Sequence, residues 1–253
     1  MAKYFISLGM LLGTSTHQLF AQQLPPIQLD RPDQTECPFI TPKNYIQLES
    51  GWMIEKENNY TKTHNHPSTL WKYGINDKFE LRLITEYVSQ SSNGQKINGI
   101  KPITIGFKTA LMEEKGMLPK ISFIGHLTSS TLGSKSFHSN YLAPSFRFTM
   151  QHTLSEKATL AYNLGAEWDG ENAGETYLYT LTTGYGLTPK LSCYAEVFGY
   201  FPKFEKAQHS IDGGFTYLIN NNLIVDVSGC LGITTTAPKN YIALGISYRF
   251  KVK

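Results

Sequence analysis

The strongest constraint on this chain is an alternation of apolar and polar side chains, with a period of two residues, that runs from Asn44 to Phe250. In residues 175–187, Tyr and Leu occupy one parity while Thr and Gly occupy the other. Successive side chains of a β-strand point to opposite faces, so such a run predicts a strand with one apolar face. A buried parallel strand would be apolar on both faces, so the pattern favours an antiparallel sheet.

About twelve such runs follow one another, and most are close to the 9–11 residues that a tilted strand needs to cross a bilayer. Strands of soluble proteins are usually about half that length. The predicted fold is therefore all-β: a transmembrane antiparallel up-and-down β-barrel of about twelve strands. The runs are 44–54, 68–75, 79–88, 100–111, 118–128, 140–152, 157–168, 175–187, 190–201, 207–218, 222–232 and 240–250.

The predicted connections alternate between short and long, as in outer-membrane barrels, where tight turns lie on the periplasmic side. This arrangement places both ends of the barrel on that side and predicts location in a bacterial outer membrane. The loops after the seventh and ninth runs are shorter than the other long ones. The short connections are 76–77, 113–116, 155–156, 188–189 and 220–222, and the longer ones include 55–67, 89–99, 129–139 and 234–239.

Composition agrees with a barrel and argues against other classes. Aromatic residues make up 13% of the chain and charged residues 17%, with a mean hydropathy of −0.26. A helical membrane protein would be far more apolar, whereas a barrel exposes only alternate residues to lipid. The net charge of +3 is small and evenly spread, so no nucleic-acid partner is expected. The three cysteines show no metal or redox spacing, and the sequence leaves open whether one pair forms a disulfide.

Two segments precede the strands. Lys3, the apolar run 4–12 and the small-residue exit at Ala21 predict a signal peptide over 1–21. Residues 22–43 are rich in Pro, Gln and Asp and predict an irregular segment, before a barrel domain over 44–253. The last run ends on Phe250, similar to the signal by which outer-membrane barrels meet their assembly machinery, which is therefore an expected partner.

The irregular segment and the first run resemble the opening of a bacterial outer-membrane transporter family associated with the MetA pathway of phenol degradation. Members of that family open with a T-D-R-P-D-x-T-x-S-P segment before a first strand of P-x-G-x-x-x-x-E type. The matching stretches here are 30–36 (DRPDQTE), Pro38 and 42–51 (PKNYIQLESG), with a further match at 79–82 (FELR). Leu29, Cys37 and Asn44 replace the family's usual Thr, Ser and Gly. The resemblance implies a barrel for uptake of small, partly hydrophobic molecules, without enzymatic residues.

Parity also predicts which charged side chains face the lumen, since Arg or Lys near the middle of the lipid face would cost about 2–4 kcal/mol. Either these charges pair and fill the lumen, or they line a narrow selective pore. The segment residues Asp30, Arg31, Asp33 and Glu36 either plug the periplasmic mouth or belong to a loose tail. The candidate lumen residues are Glu49, Lys72, Glu80, Arg82, Glu86, Lys108, His126, Arg147, Glu167, Glu196, Asp212, Asp226 and Arg249.

Other classes of function compete with a channel. A hydrolase would need a serine and a third polar residue beside His126, His152 or His209, and the sequence has no G-x-S-x-G motif. His64-Asn65-His66 falls in a predicted loop without further ligands, so no metal or cofactor is expected. A structural or adhesive barrel with a filled lumen, or a soluble barrel, are the remaining alternatives. The expected partners are the lipid bilayer and a small solute that the sequence does not identify.

Overall fold

The computed structural model describes residues 24–252, so the predicted signal peptide lies outside the described residues. Within that range the chain is almost entirely β-structure, with one short 3-10 turn at Lys135–Phe137. The range contains no helix with the length and apolar character needed to cross a membrane. The strands are β1 (Tyr45–Lys56), β2 (Thr61–Asn76), β3 (Phe79–Ser92), β4 (Gln95–Ile100), β5 (Thr104–Met112), β6 (Lys120–Thr128), β7 (Ala143–Thr153), β8 (Ala158–Glu167), β9 (Thr176–Gly186), β10 (Leu191–Pro202), β11 (Gln208–Asn220), β12 (Leu223–Gly232) and β13 (Asn240–Lys251).

Twelve of these strands close into an antiparallel barrel, as the sequence predicts. β1 pairs with β13 from Tyr45↔Lys251 to Lys56↔Asn240, and it pairs with β2 on its other side. Neighbouring strands then pair around the ring, with β3 joined to β5. β4 pairs only with the C-terminal part of β3, from Tyr87 to Ser92, and is not one of the twelve strands that close the barrel. Closure leaves no unpaired strand edge within the lipid, where unsatisfied backbone groups are costly.

The outer surface of the barrel is apolar and the inner surface is polar. In β13, Ile242, Leu244 and Ile246 are exposed on the outside, while Ser247 and Arg249 are buried inside. This pattern fits a wall between lipid and a polar interior, and it locates the chain in a bacterial outer membrane. The short connections, such as Asp77–Lys78 between β2 and β3, lie at the end that carries the chain termini, which is the periplasmic end.

The structure corrects two predicted loops, and with them the predicted position of His64 and His66. Residues 89–99 are not a loop: β3 and β4 form a hairpin whose turn residues Asn93 and Gly94 have positive φ angles of 50° and 83°. Asn-Gly is the dipeptide that such a type I′ turn prefers. The predicted loop 55–67 is also mostly strand, because β1 and β2 continue to Lys56↔Lys62. His64 and His66 therefore lie on β2 rather than in a loop.

The residues before β1 take no regular structure. Residues 24–42 contain no helix or strand in the described chain, and Lys43 forms a single bridge to Gly74. They lie inside the barrel, where Ile27, Asp30 and Thr35 are almost fully buried. All three cysteines are free thiols, so the disulfide that the sequence leaves open is not formed.

Candidate functional site

The centre of the barrel interior is occupied by Asp30, which lies in the N-terminal segment, residues 24–43. Lys108 Nζ lies 2.7 Å from Oδ1 of Asp30, and Lys72 Nζ and Arg82 Nη1 lie 3.0 and 3.1 Å from Oδ2. The backbone N–H of Cys37 also donates to Oδ1, at 2.9 Å. One carboxylate thus receives three cations from three different strands.

The sheet register explains why a carboxylate is needed at this position. Lys72 and Arg82 are directly opposite each other on β2 and β3, an arrangement that is unfavourable for like charges. Burial alone would raise the pKa of Asp30, but the charges of Lys108, Lys72 and Arg82 outweigh burial and hold that pKa well below its usual value. Asp30 is therefore ionised, and its carboxylate neutralises the cluster of Lys72, Arg82 and Lys108 on the wall.

Glu36 makes a second attachment a short way along the segment. Arg82 Nη2 donates to Oε2 of Glu36 at 2.6 Å, and Arg147 lies 3.9 Å from Oε1. The side-chain amide of Asn163 accepts from the Glu36 N–H at 2.8 Å and donates to its carbonyl at 3.0 Å. Burial opposes the charged form, but Arg82 lowers the pKa of Glu36 below its usual value.

Arg31 attaches the segment to the opposite wall. Its guanidinium donates two hydrogen bonds to Asp226 of β12, at 2.9 and 3.2 Å, in the bidentate geometry that favours arginine. The group lies over Gly51 and Gly245, which are directly paired on β1 and β13. A Cβ atom at Gly51 would overlap the guanidinium, so this close approach requires glycine.

Asp33 lies beside two further carboxyls, Glu196 and Asp212, which are directly paired on β10 and β11. No Lys or Arg of residues 24–252 forms an ion pair with any of these three carboxyls. Glu196 instead accepts from the Gln34 N–H at 2.7 Å and from the Thr35 hydroxyl at 2.5 Å. Burial, and then the charge of Asp212, raises the pKa of Asp33 to about 7. The segment therefore places a proton-binding carboxyl in an acidic corner.

This corner predicts that docking of the segment depends on pH. Asp33 binds a proton when the segment docks, because its pKa is about 7 in place and 3.8 ordinarily. Protonation of Asp33 therefore stabilises the docked segment. This stabilising free energy is complete below pH 3.8 and is lost as the pH rises through 7. Each pH unit between these limits should weaken docking up to about tenfold. Asp30 and Glu36 have lowered pKa values, so their contributions fail only near or below pH 4.

Alkylation of Cys37 measures this dependence, since its thiol is buried in the docked segment. In a variant with Cys193→Ser and Cys230→Ser, the labelling rate after correction for the intrinsic thiol reactivity should rise steeply from pH 5 to pH 8. In Asp33→Asn the corrected rate should be low and nearly flat. A slope that survives in Asp33→Asn would show that another group controls docking.

The other predicted lumen residues are also inside the wall, but only some of them contact the segment. Glu49 contacts Lys72 and accepts from the Asp30 N–H at 2.9 Å, and Arg249 donates to the Pro25 carbonyl at 2.7 Å. Glu86 and Glu167 do not reach the segment and pair instead with Lys101 and Arg147, at 3.4 and 3.7 Å. Glu80 accepts from the Thr41 N–H at 2.7 Å. His126 Nε2 is buried without a hydrogen-bond partner.

Several contacts of the segment involve neutral residues that the sequence does not single out. Ser122 donates to the Pro38 carbonyl at 2.6 Å, and the hydroxyl oxygens of Thr35 and Thr180 lie 2.6 Å apart, at hydrogen-bond distance. Gln47 donates to the Gln28 carbonyl at 2.7 Å. Inward parity is the one signal that marks Ser122, Asn163 and Thr180, and many other small polar residues share it.

Together the wall and the segment fill one level of the barrel. Each of the twelve wall strands contributes at least one buried polar side chain. The N-terminal segment lies among these side chains and forms hydrogen bonds or ion pairs with many of them. The buried wall residues, one per strand, are Glu49, Lys72, Glu80, Lys108, Ser122, Thr149, Asn163, Thr180, Glu196, Asp212, Asp226 and Ser247.

Beyond this level, the interior becomes partly apolar. Phe198, Tyr241 and Ala243 form a buried cluster, against which Met53 and Tyr200 pack. The Tyr241 hydroxyl donates to Asp212 at 2.5 Å, so the cluster adjoins the acidic corner. Within residues 24–252, no group of three His, Cys, Asp or Glu side chains has an arrangement that fits a metal ion.

Comparisons with known proteins agree with this architecture. The model of the family described as "Putative MetA-pathway of phenol degradation" matches residues 29–250. The structure of the COG4313 outer membrane channel from Pseudomonas putida F1 is similar with a TM-score of 0.69 at 12% identity, over 88% of this chain and 100% of that one. The KdgM porin (TM-score 0.57, 10% identity, 81% and 99% coverage) and the NanC porin (0.54, 9%, 80% and 98%) share the fold. Among curated proteins, no similar sequence was found.

Proposed function

Because the chain belongs to the family of the MetA pathway of phenol degradation, we propose that it is an outer-membrane channel for small, partly apolar molecules, closed at rest by its N-terminal segment. The observation that carries this proposal is the way the segment is held. Arg31, Asp30 and Glu36 bind the wall through ion pairs and hydrogen bonds, and Cys37 of the segment is a free thiol, so no disulfide holds it in place. A segment held in this way fills the lumen and is still able to leave it.

The apolar cluster supports the class of solute. Phe198, Tyr200 and Tyr241 offer aromatic faces inside the barrel, and Asp212 supplies a hydrogen-bond acceptor beside them. A path that opened beside these residues would favour solutes with an apolar body and a polar group. The similar structures are those of channels and porins, and the one from Pseudomonas putida F1 is an outer membrane channel.

We also propose that the barrel does not act as an enzyme. The rings of His152 and His209 each lie near a tyrosine hydroxyl, of Tyr162 at 3.4 Å and of Tyr179 at 3.1 Å. His126 lies beside Gly106 and makes no hydrogen bond through Nε2. Within residues 24–252, no histidine ring forms a hydrogen bond to a serine hydroxyl, which is the contact that a serine hydrolase requires.

A reversible lock tests whether the segment must move for solute to pass. Thr35 and Thr180 have hydroxyl oxygens 2.6 Å apart, so the double variant Thr35→Cys/Thr180→Cys should form a disulfide between segment and wall. The native cysteines are replaced by serine in this background. Liposomes containing the oxidised barrel should take up neither 4-hydroxybenzoate nor glucose, and reduction should restore uptake of 4-hydroxybenzoate.

The single variant Thr35→Cys, treated with the same oxidant, is the matched control and should keep its uptake. Equal uptake by the oxidised and reduced double variant would contradict a mobile plug. Absence of uptake in every form of a folded barrel would favour the structural or adhesive alternative, since the lumen would then be permanently filled.

A further inference from the structure

Three lysines form a row on the outer face of the barrel at its extracellular end. Lys56 on β1 is directly opposite Lys62 on β2, and Ser91 on β3 is directly opposite both Lys62 and Lys96 on β4. Directly paired residues point to the same face of a sheet, and neighbouring strands are about 4.8 Å apart. The three lysine side chains are exposed and crowd one narrow patch.

The described residues 24–252 supply no ion-pair partner to this row. The acid that follows Lys56, Glu57, points inward, where it accepts from Thr63 at 2.8 Å and from Gln90 at 3.3 Å. None of the three lysines takes part in any ion pair found in residues 24–252. Like charges that face each other across a strand pair are destabilising, so an anion between Lys56 and Lys62 would stabilise this part of the sheet.

An apolar groove begins directly below the row. It has a volume of about 1060 Å³, and Lys56 and Lys62 lie at its rim while Ile54 and Ile242 line its side. Its floor includes Gly213 and Gly229, which are directly paired on β11 and β12 and therefore leave a strip of wall without side chains. A groove of this shape on a lipid-facing surface fits an acyl chain.

We propose that this patch binds lipopolysaccharide, with a phosphate of the lipid A headgroup on Lys56, Lys62 and Lys96 and one acyl chain in the groove below. The positive charge of the row and its position support this ligand. The row lies at the extracellular end, where the outer leaflet presents phosphates directly above acyl chains. The outward belt of a barrel is about 25 Å tall, so a residue near the end of β1, such as Lys56, lies at the height of the headgroups. This site is separate from the lumen and does not depend on the proposed transport.

A charge-removal experiment tests the headgroup contact. In the triple variant Lys56→Gln/Lys62→Gln/Lys96→Gln, binding of purified lipid A to the refolded barrel in detergent should weaken at least about tenfold, since each lysine near an anionic surface contributes appreciably. The matched control is Lys78→Gln/Lys157→Gln/Lys190→Gln, which removes the same charge from the periplasmic turns and should bind normally. Equal binding by both triple variants would overturn the site.

A second variant tests the groove and separates the lipid from a free anion. A Cβ at Gly229 would lie 3.6 Å from the Tyr241 carbonyl oxygen, which is an ordinary contact, so Gly229→Leu should fold and fill the groove. It should reduce the thermal stabilisation given by lipid A. Inorganic phosphate alone should stabilise the native barrel far less than lipid A does. If phosphate alone gave the full stabilisation, or if Gly229→Leu bound lipid A normally, the proposal would be wrong.

Discussion

Deletion of residues 24–41 should turn a barrel that is closed at rest into one that conducts ions in discrete steps across a planar bilayer. Each wall strand has a buried polar residue, and the segment forms hydrogen bonds or ion pairs with many of these residues. A barrel of twelve strands is intermediate between filled eight-stranded barrels and open porins, so its emptied lumen should hold a continuous column of water. Pro42 is kept because its carbonyl accepts from the Tyr45 N–H at the start of β1.

The emptied lumen should also have a characteristic selectivity. Lys72, Arg82 and Lys108 would remain on one side, and Glu196, Asp212 and Asp226 on the other. The predicted lumen set contains more carboxylates than cations, so conduction should weakly favour cations, and this preference should weaken with added salt. Reversal potentials in a salt gradient measure the preference directly.

Peptide add-back provides the control for the deletion. A synthetic peptide of residues 24–41 should block the deleted barrel from the periplasmic side, whereas the same peptide with Asp30→Lys should not. Folding of the deleted barrel is checked by its heat-dependent mobility in gels. A folded, silent barrel after deletion would mean that the lumen is closed by something other than the segment, and the channel proposal would then lose its main support.

The sequence predicts the barrel well because the lipid and the lumen impose opposite requirements on alternate residues. Residues 79–87 and 175–187 show this, and their predicted strands agree with β3 and β9 within a few residues. The prediction fails where that contrast ends. In 61–66 both parities are polar, so hydropathy gives no signal for the part of β2 beyond the hydrocarbon core of the membrane, and the same holds for β4. Asn93-Gly94 is the one local signal that indicates the hairpin.

The partners of the segment are beyond what the sequence reveals. Parity places Arg31's partner Asp226 inside the lumen, but the two are 195 positions apart, and only the register of the closed barrel brings them together. The like-charge pairs Lys72↔Arg82 and Glu196↔Asp212 likewise appear only when strands are aligned. These two pairs explain why Asp30 and Asp33, three residues apart in one segment, are in opposite electrostatic environments.

That difference leads to the second prediction: the same chemical change at Asp30 and at Asp33 should have opposite effects. Asp30→Asn removes the charge that neutralises Lys72, Arg82 and Lys108, and loss of one partner from a buried ion pair typically costs roughly 3–5 kcal/mol. Because the segment is able to leave, the cost should appear as undocking, with open probability rising at least ~100-fold, while the barrel stays folded.

Asp33→Asn is the matched control, since it removes a carboxylate from a corner without cations and should tighten docking above pH 7.

A double variant sharpens the test. Lys108 donates to both Asp30 oxygens, at 2.7 and 2.9 Å, so Lys108→Met should partly restore docking in Asp30→Asn by removing the cation left unpaired. Single-channel recordings at pH 7.5 compare the open probability of the native chain, Asp30→Asn, Asp33→Asn and Asp30→Asn/Lys108→Met. If Asp30→Asn and Asp33→Asn both opened the channel to the same extent, the segment would be held by its shape and neutral hydrogen bonds, and the charges on the wall would serve another purpose.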